Sequence, residues 1–195
     1  MAMFGYHGKI LHIDLTRQTS RIDQPDETFW RIYAGGGLLA AYYLYHKMPP
    51  GIDPFDPQNL LIFTTSVMAG LPYAGLARFT TAAKSPLTGG IGETRTEGPL
   101  GMAIKGVGVD AIIIQGAAEG PLLVRIENGQ VYFLPADEFW GQTTTTALEG
   151  LAQKHGAACH FAIIGPAGEN LVRYASIVTD GCFQASRMGM GAVMG

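Results

Sequence analysis

The segment NLLIFTTSVMAGLPYAGLARFTTAAKSP, residues 59–86, decides the fold of this chain. An apolar run leads through a turn rich in glycine to a second run, which begins at Arg78. Two short runs of apolar and β-branched residues joined by such a turn predict two strands. The segment HFAIIGPAGENLVRYASIVTDG, residues 160–181, repeats the same order, with Arg173 in the place of Arg78. The sequence therefore indicates one unit used twice.

The residues before each of these segments also follow one plan. GKILHIDLTRQTSRID (8–23) and GPLLVRIENGQVYFL (120–134) each predict two strands around a polar turn, and Asn128-Gly129 is a strong hairpin signal. A proline, acidic residues and a Phe-Trp pair follow in both, within PDETFWRIYAGG (25–36) and PADEFWGQTTTT (135–146). Acidic residues favour a helix N-terminus, so each Phe-Trp pair is predicted to open a helix.

The two units differ where they finish. EGPLGMAIKGVGVDAIIIQG (97–116) predicts a glycine turn, a short helix and a strand over 110–115, whereas RMGMGAVMG (187–195) predicts only the turn and the start of the helix. We interpret the chain as two pseudo-repeats, about 8–115 and 120–195, and expect it to be truncated inside the second repeat or to be one piece of a larger assembly. Chance similarity between alternating β and α segments is the alternative.

This organisation predicts an α+β fold. An internally duplicated β/α unit is expected to form two mixed or antiparallel sheets with the helices on the outside. The groove between two related halves is a usual place for a ligand. We therefore expect the two sheets to form a saddle-like base for a cofactor.

Composition limits the classes of function. The chain has 195 residues, 47% of them hydrophobic and 15% charged, which is enough apolar material for a core. The net charge of −3, without a basic stripe, argues against nucleic acid as a partner. No apolar run approaches the ~20 residues of a membrane span, and no secretion signal is evident, so we expect a cytoplasmic protein without membrane contact. Cys159 and Cys182 are expected to be reduced and buried.

Three segments combine glycine, small residues and isolated arginines: PYAGLARFTTAAKSPLTGG (72–90), GETRTEGPLGMAIKG (92–106) and GCFQASRMGMGAVMG (181–195). The latter two lead into helix N-termini, where free backbone N–H groups attract anions. The guanidinium of arginine suits phosphate oxygens. Together the segments predict a cradle for a large phosphate-bearing ligand, the alternative being ordinary turns with solvated arginines.

Catalytic patterns are absent from the sequence. The five histidines show no metal-binding spacing, and two cysteines cannot hold an iron–sulfur cluster, which needs four ligands. No serine lies in a G-x-S-x-G pattern. GMGAVMG (189–195) resembles a nucleotide loop, but a strand does not directly precede it, and the sequence ends before the position where a ribose-binding acid would stand. We predict cofactor binding and no catalytic residue.

SPLTGG, GPLGMAIKGVGVDAIIIQG, IGPAGENLVRYASI and GMGAVMG, in this order, resemble the N-terminal domain of the tungsten-containing aldehyde ferredoxin oxidoreductases. The resemblance covers residues 1–195. It implies a cofactor in which tungsten or molybdenum is held by two molybdopterins, with a magnesium ion between the pterin phosphates. It also implies a [4Fe-4S] cluster on later domains, aldehyde oxidation to carboxylic acids, ferredoxin as electron acceptor, and a homo-oligomer. The fragment alone is not expected to be catalytically complete.

The resemblance also assigns site residues. Arg78 matches an arginine that contacts the pterin phosphates, and backbone carbonyls of Arg95 and Gln184 are expected to bind magnesium. The full set of expected cofactor contacts is Arg78, Arg95, Glu97, Gly98, Phe183, Gln184, Ser186 and Arg187.

Several of these residues depart from the family pattern. Arg95 stands where asparagine is usual, Glu97 where glycine is typical, and Phe183 where an arginine contacts cofactor; Gln184 and Ser186 replace small residues. The departures indicate a divergent member whose pterin pocket, nucleotide extension or metal differs, or a cofactor-free paralogue. Two other functions stay open: a stand-alone nucleotide-binding domain that uses GMGAVMG, and a non-catalytic scaffold subunit.

Overall fold

The computed structural model describes residues 5–71, 73 and 75–195. The strands are β1 (Ile10–Asp14), β2 (Thr19–Asp23), β3 (Leu61–Thr65), β4 (Arg78–Lys84), β5 (Ile91–Glu97), β6 (Ala111–Gln115), β7 (Leu122–Glu127), β8 (Gln130–Pro135), β9 (Ala162–Ile163), β10 (Ile177–Thr179) and β11 (Phe183–Ala185). The α-helices are α1 (Glu27–Tyr33), α2 (Gly36–Lys47), α3 (Leu100–Gly106), α4 (Thr144–His155), α5 (Pro166–Glu169) and α6 (Met190–Met194).

The strands form one large and two small sheets. The large sheet has the order β2-β1-β6-β3-β4-β5, in which β1 and β6 are parallel and the other neighbours antiparallel. The order β11-β10-β9 forms an antiparallel sheet, and β7 pairs with β8 in a hairpin. A mixed six-stranded sheet with smaller sheets and peripheral helices confirms the α+β class.

Apolar side chains on both faces of the central strands produce two apolar layers, one on each side of the large sheet. Successive side chains point to opposite faces of a sheet. In β3, Leu61 and Phe63 therefore pack on one face, with α3 and α6, and Ile62 packs on the other, against α1 and α2. Leu39 and Trp30, from the two helices on that second side, are 0% and 3% exposed.

Local signals account for the hairpin, for the start of α1 and for both ends of α4. Asn128 and Gly129 have φ of 51° and 76°, as a two-residue type I′ turn requires. The Asp26 carboxylate accepts a hydrogen bond from the Phe29 amide at 2.9 Å and caps α1. Thr143 caps α4 in the same way, and Gly156, with φ of 102°, ends that helix.

A buried carboxylate ties the N-terminal loop to the large sheet. Asp110, which is 2% exposed, accepts hydrogen bonds from the amides of His7 (2.9 Å), Gly8 (2.8 Å) and Lys9 (3.3 Å). The Lys105 ammonium donates to the same carboxylate at 2.7 Å. Loop, α3 and β6 therefore meet at one negative charge that is fully engaged.

The two halves have similar element orders with local differences. A hairpin, helical segments, three strands and a short helix succeed one another in each, although α5 is inserted after β9. Phe29-Trp30 lies inside α1, whereas Phe139 ends a single 3₁₀ turn (Asp137–Phe139) and α4 begins only at Thr144. The prediction that the second Phe-Trp pair opens a helix is therefore wrong, because this pair stands at the end of a 3₁₀ turn and outside any α-helix.

The second arginine also lies differently from the first. Arg78 opens β4, but Arg173 lies in a turn and β10 starts at Ile177. Here α5 and the left-handed Leu171 (φ 54°) occupy the chain before the strand. The duplication itself stays a prediction.

Candidate functional site

The three segments rich in glycine and arginine meet in the structure. Strand β5 lies at one edge of the large sheet, next to β4 and in contact with β11 at the edge of the small sheet. The Ser85 hydroxyl donates to the carbonyl of Met188 at 2.8 Å, which joins the first segment to the third. A Cβ on Gly92 would lie 2.7 Å from the Cβ of Met188, which joins the second segment to the third.

Bare backbone at Gly98 makes room for an aromatic ring. Gly98 has φ of 119°, and a Cβ there would lie 2.7 Å from Cδ2 of Phe183. Side chains rarely adopt this φ and none would fit under the ring, so glycine is required on both counts. Of the expected cofactor contacts, Gly98 and Phe183 are therefore in direct contact with each other.

The predicted phosphate-binding arginine has a carboxylate partner. Arg78 and Glu97 lie directly opposite each other on β4 and β5, and Nε of Arg78 donates to Glu97 Oε1 at 3.1 Å. A second guanidinium nitrogen contacts the same oxygen. Both side chains are more than half exposed, so the pair is open to solvent and to ligands.

The remaining charges continue along the same face. Arg95 pairs with Glu93 at 3.1 Å, and the exposed Arg187 forms no ion pair within the described part of the chain. Glu93, Arg95 and Glu97 alternate with buried threonines along β5, so they share the exposed face. Sequence reasoning missed Glu93, although the period-two pattern ETRTE was the available signal.

The magnesium prediction involves neighbouring backbone. Thr96, next to Arg95, directs its hydroxyl towards the carbonyl oxygen of Gln184 at 3.5 Å, so these two stretches adjoin. Ser186 follows β11 and is exposed. Among residues 5–71, 73 and 75–195, His, Cys, Asp and Glu side chains form no group of three that could hold a metal. The expectation that carbonyl groups bind magnesium stays a prediction.

The GMGAVMG segment uses its glycines for packing. A Cβ on Gly189 would lie 2.0 Å from the Arg173 carbonyl oxygen, and one on Gly191 2.5 Å from that of Ser176. Such close approach leaves no space for a phosphate over these two residues. This geometry argues against the nucleotide-loop interpretation of the segment.

A second polar cluster lies on the face of the large sheet that α2 covers. His12 Nε2 is 3.7 Å from Asp23 Oδ2, and the Tyr43 hydroxyl donates to the same oxygen at 3.1 Å. Burial, reinforced by Arg21, lowers the pKa of His12 to about 4. Burial and Asp23 raise the pKa of Tyr43. Both groups are therefore neutral near pH 7, and we interpret the cluster as structural.

The cysteines and helices add two plain findings. Cys159 and Cys182 are both free, but Cys182 is exposed, so its predicted burial is wrong; it lies in the turn between β10 and β11. The helices in the described ranges are all too short or too polar to cross a membrane.

Comparison with known proteins identifies the family of this chain. The family model for the aldehyde ferredoxin oxidoreductase N-terminal domain matches residues 10–195. The chain belongs to this family. A tungsten-containing aldehyde ferredoxin oxidoreductase of Pyrococcus abyssi is 39% identical over 99% of the chain, and an aliphatic sulfonate oxidoreductase, WOR-like subunit, of Pyrococcus furiosus is 32% identical over 99%.

A solved relative has the same fold. The active-site complex BamBC of benzoyl coenzyme A reductase, in complex with 1,5-dienoyl-CoA, superposes with a TM-score of 0.94 at 33% identity over 98% of this chain. The present chain covers 29% of the length of the solved relative, 32% of the Pyrococcus abyssi enzyme and 33% of the sulfonate oxidoreductase. It therefore spans about a third of the length of its relatives.

Proposed function

We propose that this chain is the cofactor-bearing N-terminal part of an oxidoreductase, and that a tungsten or molybdenum bis-pterin cofactor rests on the face formed by β4, β5 and β11. The observation that carries the proposal is the meeting of the three glycine- and arginine-rich segments where β4, β5 and β11 adjoin. Membership of a family of tungsten-containing enzymes supports it.

The residues fit an anionic cofactor. Arg78 presents five N–H donors, of which Glu97 engages those on two nitrogens, so the guanidinium can still donate to a phosphate. Arg187 has no ion-pair partner in the described ranges and supplies the second cation. Backbone carbonyls of Arg95 and Gln184 would hold magnesium, since hard cations prefer oxygen ligands.

The departures from the family pattern change how the phosphates are held. Glu97 neutralises part of the charge of Arg78, and Phe183 offers an apolar ring in place of a cation. We expect this face to attract phosphate more weakly than an all-arginine face would. Backbone groups and the Phe183 ring are expected to contribute a larger share of the contacts with the rest of the cofactor.

When bound, the metal and pterins supply the redox chemistry. The residues of this chain bind and orient the cofactor, and none of them is proposed to transfer a proton. Oxidation of an aldehyde to a carboxylic acid, transfer of electrons to ferredoxin, and an iron–sulfur cluster on further domains complete the proposal for the full-length enzyme.

The proposal is tested on the full-length protein, expressed without oxygen and with tungstate. We expect about one equivalent of metal and two of pterin per chain, by elemental analysis and pterin fluorescence. R78A should lower both, whereas R17A should not, because Arg17 is an exposed arginine paired with a carboxylate on the distant β1–β2 turn. A folded full-length protein free of metal and pterin would overturn the proposal and favour a scaffold role.

A further inference from the structure

The N-terminus of α2 consists of bare backbone without a cap. Three glycines, residues 35–37, open this 12-residue helix, and its first turn holds no acidic residue. No side chain in the described part of the chain caps this end, so the amides of Gly37 and Leu38 lack a partner within the helix. Free N–H groups and the helix dipole together attract an anion to such an end.

A buried hydroxyl without a partner faces this helix end. Thr80 is 5% exposed, and its side chain forms no hydrogen bond within the described ranges. Beyond its own helix and chain neighbours, a Cβ on Gly36 would meet one atom within 4 Å, Oγ1 of Thr80 at 3.9 Å. The Thr80 hydroxyl therefore points into space that the described side chains leave open beside the start of α2.

A second hydroxyl of the same kind lies next to the first. Thr64 is directly opposite Thr80 in the register of β3 and β4, and Ile62, two residues before Thr64, packs against α2. Both threonines therefore share the face of the large sheet that α2 covers. Oγ1 of Thr64 is buried and has no hydrogen-bond partner among the described residues. A ligand that hydrogen-bonds to such groups offsets the cost of burying them.

Strand β5 adds a cation and a carboxylate to the same place. Arg95 is directly opposite Thr80 in the register of β4 and β5. Glu93 contacts the helix end, because a Cβ on Gly37 would lie 3.0 Å from Cδ of this glutamate. Nη2 of Arg95 is 3.1 Å from Oε1 of Glu93, which engages one guanidinium nitrogen and leaves the other N–H groups able to donate.

We propose that the space bordered by Thr80, Arg95, Glu93 and the N-terminus of α2 binds a phosphate group that carries a proton. The helix amides, the guanidinium and the threonine hydroxyls donate to its oxygens. The Glu93 carboxylate accepts from its P–O–H group. Phosphate monoesters, whose second pKa is about 6, are still partly protonated near that pH.

The carboxylate also selects between anions. Sulfate carries no proton at this pH, so its oxygens would face Glu93 as one negative charge against another. An unfavourable contact of this kind is a usual way to reject a ligand of similar shape. The site therefore favours hydrogenphosphate or a phosphate monoester over sulfate.

Calorimetric titration of the full-length protein with inorganic phosphate, at about pH 6, tests the inference. We expect saturable binding, and binding of sulfate at least about tenfold weaker. The titration is made on protein grown with and without tungstate. Binding to the cofactor-free protein alone would assign the site to a phosphate of the proposed cofactor, and binding to both forms would assign it to a free phosphate. Either result supports the site.

This test is separate from that of the proposed function. The proposed function uses the backbone carbonyl of Arg95, whereas the phosphate site uses its guanidinium. The titration of cofactor-free protein requires neither metal nor pterin, so its failure would leave the metal and pterin analysis unaffected.

T80V and T81V form a matched pair of variants. Thr80 and Thr81 are neighbours in β4, both are buried, and neither hydroxyl has a partner within the described ranges. Their side chains point to opposite faces of the sheet. Valine has a similar shape, and neither change removes a hydrogen bond of the protein, so both variants should fold. T80V should weaken phosphate binding about tenfold or more, as expected for one hydrogen bond to a charged group, and T81V should leave it unchanged.

E93Q tests the selection against sulfate. Glutamine keeps the size of the side chain but removes the charge, so the preference for phosphate over sulfate should fall from at least about tenfold to near equality. Three results would overturn the inference: no saturable binding of phosphate to the cofactor-free wild-type protein, equal effects of T80V and T81V, or an unchanged preference in E93Q.

Discussion

Replacing Asp110 by asparagine tests the anchor of the N-terminal loop. The carboxylate accepts from three successive amides, at 2.9, 2.8 and 3.3 Å, and from the Lys105 ammonium at 2.7 Å. D110N keeps the shape but turns one acceptor into a donor that faces other donors. It also leaves Lys105, whose side chain is 10% exposed, without its counter-ion.

The size of the effect follows from this burial. Breaking a buried ion pair by removing one partner costs about 3–5 kcal/mol, because the other charge stays buried and uncompensated. We expect D110N to lower the free energy of unfolding by about that amount. K105M in the same background should recover part of the loss, with a coupling energy above about 1 kcal/mol.

Chemical denaturation of the four proteins of this double-mutant cycle measures both quantities, and hydrogen exchange of the amides of residues 7–9 reports on the loop. D53N is the control, since Asp53 also accepts a backbone amide, from Phe55 at 2.9 Å, but is exposed. Its cost should stay within about 0.5 kcal/mol. A D110N cost no larger than that of D53N would refute the assignment of a buried, fully engaged charge.

Three further predictions concern separate parts of the core. G191A should destabilise the protein by several kcal/mol in thermal unfolding, because its Cβ would lie 2.5 Å from a carbonyl oxygen. G106A, whose Cβ would have nothing within 4 Å, should leave the stability unchanged or raise it by up to about 1 kcal/mol. Equal effects of the two substitutions would contradict this reasoning. The pKa of His12 is lowered from 6.5 to about 4, so at pH 5 the unfolded state binds a proton that the folded state does not. The free energy of unfolding should therefore fall by about 2 kcal/mol between pH 7 and pH 5. In H12F, measured by denaturation at both pH values, this difference should be absent. N59A removes a buried side-chain amide that donates to the Pro54 and Lys84 carbonyls and accepts from the Lys84 amide. It should lower the denaturation midpoint by the equivalent of about 2–4 kcal/mol. An unchanged midpoint would show that these hydrogen bonds do not stabilise the fold.

Local patterns predicted most of the secondary structure. The hairpin at Asn128-Gly129 and the strand starting at Arg78 follow from turn chemistry and alternation, which act over a few residues. The two Phe-Trp pairs look alike in sequence, yet only the first lies in an α-helix. Gly141, at φ of 79°, follows Trp140 directly and stops the turn, and Trp140 is 47% exposed. Arg31 follows Trp30, and the helix continues.

The candidate site was predictable in its segments but not in its charges. Three glycine- and arginine-rich stretches were expected together, and contacts such as Ser85 with Met188 join them. The Arg78–Glu97 pair depends on the register of β4 against β5, which is set by packing over the whole sheet. The sequence does not show that these two residues pair, because nineteen positions separate them.

The parallel pairing of β1 with β6 affects how the chain assembles during synthesis. Ile10 meets Ala111 across about a hundred residues, and Asp110 fastens the loop that precedes β1 from the same place. At ~5–20 residues per second, the ribosome needs roughly 5–20 s to supply that partner. Throughout this interval the β1–β2 ribbon has nothing on its inner side, so a nascent chain stalled before residue 110 would depend on chaperones to avoid aggregation.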